Sequence, residues 1–308
     1  MRAFIFPGQG SQSVGMGAAL AEASRAARDT FDEVDEALGQ HLFRLMREGP
    51  DEELKLTENA QPAIMAHSIA VLRTMGVRVA DAASFVAGHS LGEYSALCAA
   101  GSFDLATTAK LLKLRGQAMQ QAVPVGQGAM AALLGADLAL AQKIADAAAQ
   151  GEVCTVANDN DPSQVVISGH KGAIDRAIEM AKEMGAKRAV PLPVSAPFHC
   201  PLMQPAAEAM RDALSYVVVE APSAPLVANV TAEPTSDPDT IRNQLVDQVT
   251  GMVRWRESVA NMFDAGAHDF VEIGGKVLGS MLKRIAPDAR VTSIVTIEDV
   301  EALAKEIA

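Results

Sequence analysis

The chain of 308 residues lacks several features that would assign it to a specialised class. Its three cysteines, Cys98, Cys154 and Cys200, are an odd number without a CxxC pair, so they indicate reduced, intracellular thiols. Lys and Arg number 26 against 38 Asp and Glu, and the formal net charge of −12 argues against a general nucleic-acid binder. No His or Cys pairs stand at ligand spacing, so no metal site is predicted.

Long apolar segments are also missing. The first apolar run, residues 3–6, ends at a proline, which makes it too short for a secretory signal. The longest uncharged stretch, residues 116–136, contains glutamines, a proline and several glycines, so it is not typical of a membrane span. With 49% hydrophobic residues, the composition is that of a folded globular protein. We predict a cytoplasmic protein, and nothing in the sequence demands more than a monomer.

Strand-like and helix-like segments alternate along the chain, which predicts an α/β fold. An amphipathic helix is expected over residues 18–38, a second helix from about Pro62, and a third over residues 104–121. A short buried strand is expected at residues 84–87. Towards the end, we expect a strand at residues 224–229, a helix at residues 240–248 and a strand at residues 270–273. A final basic helix follows.

The middle of the chain has a different order of predicted elements. Strand-like and helical segments follow there in the order β-α-β-β-α-β, with the turn-rich segment 158–162 between the two central strands. This order is the split βαβ, ferredoxin-like pattern. We therefore predict a larger α/β domain, residues 1–124 plus 198–308, with a small ferredoxin-like domain, residues 125–197, inserted into it.

A possible nucleophile lies between a predicted strand and a predicted helix. Gly88-His89-Ser90-Leu91-Gly92 has the G-x-S-x-G form of a nucleophile elbow, whose glycines give the room that the tight turn needs. The serine oxygen would project above the sheet, where the Leu91 N–H and the helix dipole can stabilise an oxyanion. We predict that Ser90 is a nucleophile; the alternative is a glycine-bounded turn with an incidental serine.

A serine nucleophile needs a base, and the chain has six histidines. His199 lies in the segment 197–201, whose two prolines limit the positions open to the imidazole, as a general base requires. His89 adjoins Ser90, but adjacent residues at a sharp turn point apart, so we expect it to support the site rather than act as the base. His268, which precedes an aspartate, is the competing candidate.

Arg115 falls on the apolar face of its predicted helix. The residues three and four positions away are all apolar: Leu111, Leu112, Ala118 and Met119. No Asp or Glu occurs between Asp104 and Asp137, and an unpaired buried guanidinium is very costly. Two interpretations remain, a long-range structural salt bridge and a bidentate clamp for a substrate carboxylate.

Several motifs occur in the order found in a known family. They are Phe6-Pro7-Gly8-Gln9-Gly10-Ser11-Gln12, Asn59-Ala60-Gln61-Pro62-Ala63, Gly88 to Tyr94, Arg115 to Gln120, Asn160 to Gly169, and Pro197-Phe198-His199. Together they resemble the malonyl-CoA:acyl carrier protein transacylases, which load malonyl groups for fatty acid synthesis. The resemblance runs nearly end to end and implies an α/β-hydrolase-like core with the ferredoxin-like insertion.

The resemblance implies a catalytic role for five positions. Ser90 would be the acylated nucleophile and His199 its base. A backbone carbonyl at Gln248, rather than an acid, would orient the histidine, so the pair would be a Ser–His dyad. Gln9 and the Leu91 N–H would form the oxyanion hole.

The resemblance also implies the substrates. Arg115 would bind the free carboxylate of malonyl-CoA, and His89 and Asn160 would line the site. The acceptor would be the phosphopantetheine thiol of acyl carrier protein, with no cofactor beyond these substrates and no nucleic-acid or membrane partner. Phe198 resembles the malonyl-type rather than the methylmalonyl-type enzymes, because an aromatic ring leaves less space for a branched acyl group.

One segment departs from the family pattern. The usual Glu-x-Gly-x-Gly-Lys loop is one residue shorter here, at residues 272–276, which leaves its shape open. Basic residues that could dock an acidic carrier protein cluster in two places: Lys182, Lys187 and Arg188, and Lys276, Lys283 and Arg284.

Three other functions stay open at this point. The same elbow serves α/β-type serine hydrolases, although these have little use for Arg115. A stand-alone acyltransferase of a polyketide synthase would carry the same residues. A catalytically silent carrier-protein binding module would have no need of Ser90, His199 and Arg115 together.

Overall fold

The structure is a computed structural model that describes residues 1–194 and 196–307, with side chains as far as residue 303. Ser195, in the segment before His199, and Ala308, the last residue of the expected larger domain, lie outside the described residues.

Ten strands and fifteen α-helices occur in the described residues, with one short 3-10 helix at Pro201–Met203. The strands are β1 (Arg2–Phe6), β2 (Phe85–Gly88), β3 (Gly128–Leu134), β4 (Cys154–Asp161), β5 (Gln164–His170), β6 (Arg188–Pro191), β7 (Leu226–Val227), β8 (Pro234–Thr235), β9 (Asp269–Ile273) and β10 (Arg290–Ile294). The helices are α1 (Ala18–Ala23), α2 (Arg25–Leu38), α3 (Leu42–Glu48), α4 (Asp51–Leu54), α5 (Thr57–Met75), α6 (Val79–Ala82), α7 (Gly92–Ala99), α8 (Leu105–Ala122), α9 (Leu138–Ala149), α10 (Lys171–Ala181), α11 (Gln204–Ser215), α12 (Pro238–Thr250), α13 (Trp255–Asp264), α14 (Leu278–Ile285) and α15 (Ile297–Ile307).

Two sheets organise these elements, so the fold is mixed α/β. The larger sheet has the order β10-β9-β1-β2-β7-β8, and its pairs are parallel except for β7 with β8. Its central strand β1 is apolar and fully buried from Ala3 to Phe6, as expected for a parallel strand covered on both faces. The smaller sheet, β4-β5-β3-β6, is antiparallel and packs against α9 and α10.

The first expected helix is two helices in the structure. Ser24 adopts an extended backbone between α1 and α2, and its hydroxyl accepts the main-chain N–H of Ala27. A serine that caps a helix in this way satisfies an N–H with no acceptor inside the helix. The second expected helix begins at Thr57 rather than near Pro62, which lies within its first two turns.

The prediction of a turn at residues 158–162 is wrong, because β4 continues to Asp161. Asp159 and Asp161 are buried there and pair with arginines of α13 and α14: the Arg256 and Arg284 NH2 groups lie 2.8 Å from the Asp159 and Asp161 Oδ2 atoms. Burial of a carboxylate is tolerated when it is paired and hydrogen-bonded. Long-range pairing therefore overrides the turn-like composition of this segment.

The C-terminal part also differs from the expectation. The strand expected at residues 224–229 contains only Leu226 and Val227, and the expected final helix, α14, is followed by β10 and α15. The shortened loop 272–276 leads directly into α14. There the Glu272 carboxylate accepts the main-chain N–H groups of Val277, Leu278 and Gly279.

Close packing between α5 and α8 gives a test of the fold. A Cβ atom at Gly116 would lie 2.5 Å from the Glu58 Cα and 2.6 Å from the Thr57 carbonyl oxygen. Overpacking costs about 1–3 kcal/mol, whereas the helix propensity gained by Gly→Ala is about 1 kcal/mol. Because the close atoms belong to the main chain, the cost should lie at the upper end, and we expect Gly116→Ala to lower the free energy of unfolding in urea by about 1–2 kcal/mol.

Gly279→Ala, in α14, is the matched control. Its Cβ would meet nothing closer than the Val291 Cγ1 atom at 3.4 Å, so this variant should be as stable as the wild type or more so. Equal stabilities for the Gly116 and Gly279 variants would contradict the packing shown here.

Candidate active site

A cavity of about 470 Å³ is lined by strands of the smaller sheet and by loops and helices that adjoin the larger sheet. Ser90 lies on its wall at the turn between β2 and α7, Arg115 comes from α8, and His199 follows β6. Met130 and Val166 of the smaller sheet also line it. A polar cluster within a largely apolar cavity is the usual form of a small-molecule site.

The turn at Ser90 has a strained backbone. Its φ angle is 54°, in the left-handed region that residues with a Cβ rarely adopt. Gly88 must be glycine, because a Cβ there would lie 1.9 Å from the Gly92 carbonyl oxygen. The Asn229 side chain spans the turn: its Oδ1 accepts the Ser90 N–H at 2.8 Å, and its Nδ2 donates to the Gly88 carbonyl at 2.7 Å.

His199 is hydrogen-bonded to Ser90 on one side and to α12 on the other. Its Nδ1 lies 2.8 Å from the main-chain carbonyl oxygen of Gln248, and its Nε2 lies 2.8 Å from the Ser90 Oγ. A carbonyl can only accept, so Nδ1 carries the proton and Nε2 is free to accept the Ser90 hydroxyl proton. The geometry is that of a nucleophile and its base.

The imidazole of His199 is held in its neutral form. Burial, followed by the positive charge of Arg115, lowers the pKa of His199 to about 3, and the hydrogen bond to Gln248 opposes this only in part. A histidine with such a pKa stays unprotonated near pH 7, as a base must.

Arg115 is 1% exposed and has only neutral acceptors. Its NH1 donates to the Gln61 Oε1 at 2.8 Å, and its NH2 donates to the Gln248 Oε1 at 2.8 Å and to the Ser90 Oγ at 3.2 Å. Within the described residues, no carboxylate lies at ion-pairing distance from it. The structural salt bridge considered from the sequence is therefore absent there, and the guanidinium lies beside Ser90 without a counter-charge in contact.

Sequence reasoning assigned no role to Glu93 and Asn229. Glu93 is fully buried, and its Oε2 accepts the Asn229 main-chain N–H at 3.0 Å and the Gln248 Nε2 at 2.9 Å. Burial raises the pKa of Glu93 to about 7, although these two hydrogen bonds and Arg115 lower it. Asn229 follows β7, which ends at the same edge of the parallel sheet as β2, where Ser90 lies. This placement was the only feature that could have marked Asn229 as a site residue.

His89 and Asn160 lie together on the wall of the cavity. The His89 Nε2 lies 2.8 Å from the Asn160 Oδ1, which can only accept, so His89 donates through Nε2. The His89 ring also packs edge-on against Trp255 at 5.7 Å between centroids. The contacts of the His89 ring are thus with Asn160 and Trp255.

Gln9 and Leu91 are the two residues that the family resemblance assigns to the oxyanion hole. Both residues line the cavity, and in the part of the chain that the structure describes neither N–H has a protein acceptor. Leu91 immediately precedes α7, so its N–H belongs to the positive end of that helix. Two such donors can hold an oxyanion.

Other sequence candidates lie elsewhere. His268 is absent from the cavity lining, and its ring packs against Phe263 at 4.5 Å between centroids. Among the described residues, no group of three or more His, Cys, Asp and Glu side chains is arranged to hold a metal ion. No described helix combines the length and the apolar character needed to cross a bilayer.

Comparison with known proteins identifies relatives over nearly the whole chain. Residues 3–284 match the family model described as "Acyl transferase domain". The malonyl CoA-acyl carrier protein transacylase of Escherichia coli K12 is 46% identical over 284 residues, which cover 92% of each protein. These matches confirm the family resemblance inferred from the motifs.

Solved structures agree with this comparison. The acyl-carrier-protein S-malonyltransferase of Bartonella henselae is 52% identical with a TM-score of 0.97, and the match covers 99% of each chain. A malonyl-transacylase solved in complex with its type II PKS acyl-carrier protein is 40% identical with a TM-score of 0.96, and this match also covers 99% of each chain.

The low pKa of His199 can be measured without substrate. In an NMR titration of the imidazole, we expect His199 to stay neutral from pH 8 down to about pH 5, because its pKa lies near 3. Removal of the neighbouring positive charge in Arg115→Gln should raise this pKa. The signal is assigned by its absence in His199→Asn, and a midpoint near 6.5 in the wild type would contradict the described environment.

Proposed function

The chain belongs to the acyl transferase family and, within it, to the malonyl CoA-acyl carrier protein transacylases, and from this premise we propose that it transfers malonyl groups from malonyl-CoA to acyl carrier protein in fatty acid biosynthesis. The observation that carries the proposal is the buried Arg115 beside Ser90, which has neutral acceptors and no carboxylate in contact. A substrate with a free carboxylate supplies the missing counter-charge.

In the first half-reaction, Ser90 becomes malonylated. Its Oγ attacks the thioester carbon of malonyl-CoA while the His199 Nε2 takes the hydroxyl proton. The Gln9 and Leu91 N–H groups hold the negative oxygen of the tetrahedral intermediate. The C–S bond then breaks, and CoA leaves as a thiol with the proton from His199.

The second half-reaction reverses these roles. The thiol of the carrier protein's phosphopantetheine loses its proton to the His199 Nε2 and attacks the malonyl ester. When the ester bond breaks, the proton returns to the Ser90 Oγ, and the malonyl thioester leaves on the carrier protein. The transfer uses no cofactor beyond these substrates, and the Gln248 carbonyl holds the His199 ring throughout.

The acyl-enzyme intermediate is directly testable. After brief incubation with malonyl-CoA, intact-protein mass spectrometry should show one malonyl adduct on the wild type and none on Ser90→Ala. Release of CoA without an adduct would favour a serine hydrolase instead. If neither an adduct nor released CoA were observed, the result would favour the catalytically silent carrier-protein binding module.

Arg115 should determine which acyl group is transferred. A buried guanidinium left without a partner costs a few kcal/mol, so the wild type should prefer malonyl-CoA to acetyl-CoA. We expect Arg115→Ala to lower kcat/KM for malonyl-CoA by about 100-fold or more and to raise relative turnover of acetyl-CoA. Unchanged malonyl transfer in this variant would contradict the clamp.

The carrier protein is proposed to dock on the two groups of basic residues that the sequence indicates. Lys182, Lys187, Arg188, Lys276, Lys283 and Arg284 are all exposed. The helix α14, which carries Lys283 and Arg284, contributes Leu278 and Met281 to the lining of the cavity. Arg284 is already paired with Asp161, and Lys276 lies 3.4 Å from Asp299, so the other four are the stronger candidates.

Charge reversal at Lys187 and Lys283 tests this surface. At low salt, we expect the double variant to raise the KM for carrier protein about tenfold, because oppositely charged surfaces steer association. The KM for malonyl-CoA serves as the internal control and should not change. An unchanged KM for carrier protein would contradict a role of Lys187 and Lys283 in docking.

A carrier protein of a type II polyketide synthase is a second candidate acceptor. The similarity to the malonyl-transacylase solved with such a carrier protein favours it. The ratio of kcat/KM values for purified fatty-acid and polyketide carrier proteins decides between the two acceptors.

The finer fold assignment accompanies the functional proposal. An α/β-hydrolase-like core of residues 1–124 plus 198–308 is supported by the parallel sheet and the elbow after β2. A ferredoxin-like insertion of residues 125–197 is supported by the β-α-β-β-α-β order from β3 to β6. The protein is proposed to act in the cytoplasm, since its cysteines are free thiols, and to act as a monomer.

A further inference from the structure

Glu93 is a buried carboxyl group that touches neither the nucleophile oxygen nor the base. It lies in the first turn of α7, three residues after Ser90, and its side chain has no exposed surface. Its Oε2 receives both hydrogen bonds of the carboxyl group, whereas Oε1 has no partner within the described residues. Burial of a carboxyl group costs free energy. A role for Glu93 in the site would account for its place there.

The first contact fixes the orientation of the Gln248 side-chain amide. The Gln248 Nε2 donates to the Glu93 Oε2 at 2.9 Å and to the Ser90 carbonyl oxygen at 3.0 Å. The Gln248 Oε1 consequently faces Arg115 and accepts from its NH2 at 2.8 Å. A rotated amide would place its oxygen against two acceptors and its NH2 against the guanidinium, so only one orientation satisfies every group.

The second contact reaches the turn that carries Ser90. The Glu93 Oε2 accepts the main-chain N–H of Asn229 at 3.0 Å. The Asn229 side chain in turn holds the Ser90 N–H and the Gly88 carbonyl of the left-handed turn. A single oxygen atom therefore connects the segment that clamps the nucleophile with the amide that holds Arg115.

We propose that Glu93 is a positioning residue, whose Oε2 fixes the Gln248 amide and the Asn229 main chain and so holds Arg115 in place for a substrate carboxylate. The inference rests on the proposed malonyl transfer. It adds a residue that governs acyl-group selectivity without contact with the substrate.

This role depends on hydrogen-bond acceptance and not on charge. Both bonds go to Oε2, so a proton on Oε1 leaves them intact. The raised pKa of Glu93, about 7, is compatible with either form of the carboxyl group. A glutamine can present its carbonyl oxygen in the position of Oε2 and its NH2 in the position of Oε1.

Two substitutions separate acceptance from charge. Glu93→Gln keeps the length and the acceptor but removes the charge, so we expect kcat/KM and the malonyl-to-acetyl preference to stay within about threefold of the wild type. Glu93→Asp keeps the charge but is one methylene shorter, so it loses reach to Gln248. We expect it to lose about tenfold or more in kcat/KM for malonyl-CoA, and a larger share of its malonyl preference than Glu93→Gln loses.

A matched control removes a carboxylate that accepts a main-chain N–H elsewhere. Asp35 accepts the Phe43 N–H, and neither residue lines the cavity, so Asp35→Asn should leave the malonyl-to-acetyl ratio unchanged. If Glu93→Asp does not fold, Glu93→Met supplies a variant of similar length without the acceptor. Higher activity in Glu93→Asp than in Glu93→Gln would overturn the inference, as would an unchanged acyl preference in every folded Glu93 variant.

A readout without substrate separates this inference from the proposed function. The Gln248 side-chain NH2 should exchange slowly with solvent in the wild type and Glu93→Gln, and about tenfold faster or more in Glu93→Asp. Equal exchange rates would overturn the positioning role even if malonyl transfer were shown. Absence of a malonyl adduct on the wild type would overturn the proposed function, while the exchange rates would still decide whether Glu93 fixes Gln248.

Discussion

A buried guanidinium without a carboxylate in contact is the constraint on which the site depends. Arg115 is held by Gln61, Gln248 and Ser90, all of which are neutral. A direct ion pair would satisfy the charge but would occupy the donors that a substrate carboxylate needs. Neutral acceptors hold the side chain in one place and leave it without a carboxylate in contact, so a preference for an acidic acyl group is built into the free protein.

The same constraint links the parts of the chain that surround Ser90. Burial, and after it the charge of Arg115, lowers the pKa of His199, which keeps the imidazole neutral and leaves its Nε2 open as an acceptor. Gln248 uses its carbonyl for His199 and its side-chain amide for Arg115 and Glu93, so one residue of α12 connects the base, the clamp and the elbow. The site is preorganised by hydrogen bonds that converge on Gln248, and the group that accepts from the His199 Nδ1 is a main-chain carbonyl rather than a catalytic acid.

The sequence predicted the parts of the site that have a local signal. Ser90 stands in a glycine-bounded turn between a strand and a helix, and Arg115 lies among apolar neighbours on one helix face. The roles of Glu93 and Asn229 could not be predicted in this way, because their contact joins residues 136 positions apart, and only the fold brings them together. The predicted end of β4 was wrong for the same physical reason. The pairing of Asp161 with Arg284, 123 positions away, outweighs the local turn propensity.

The most direct test of this account is a crystal structure of the malonyl-enzyme, trapped on Ser90 after a short soak with malonyl-CoA. The account predicts that the malonyl carboxylate lies within hydrogen-bond distance of the Arg115 guanidinium, in place of its contact with the Ser90 Oγ, while the bond from Arg115 to Gln248 remains. A malonyl carboxylate directed to solvent, with Arg115 still bound only to neutral groups, would contradict the central claim.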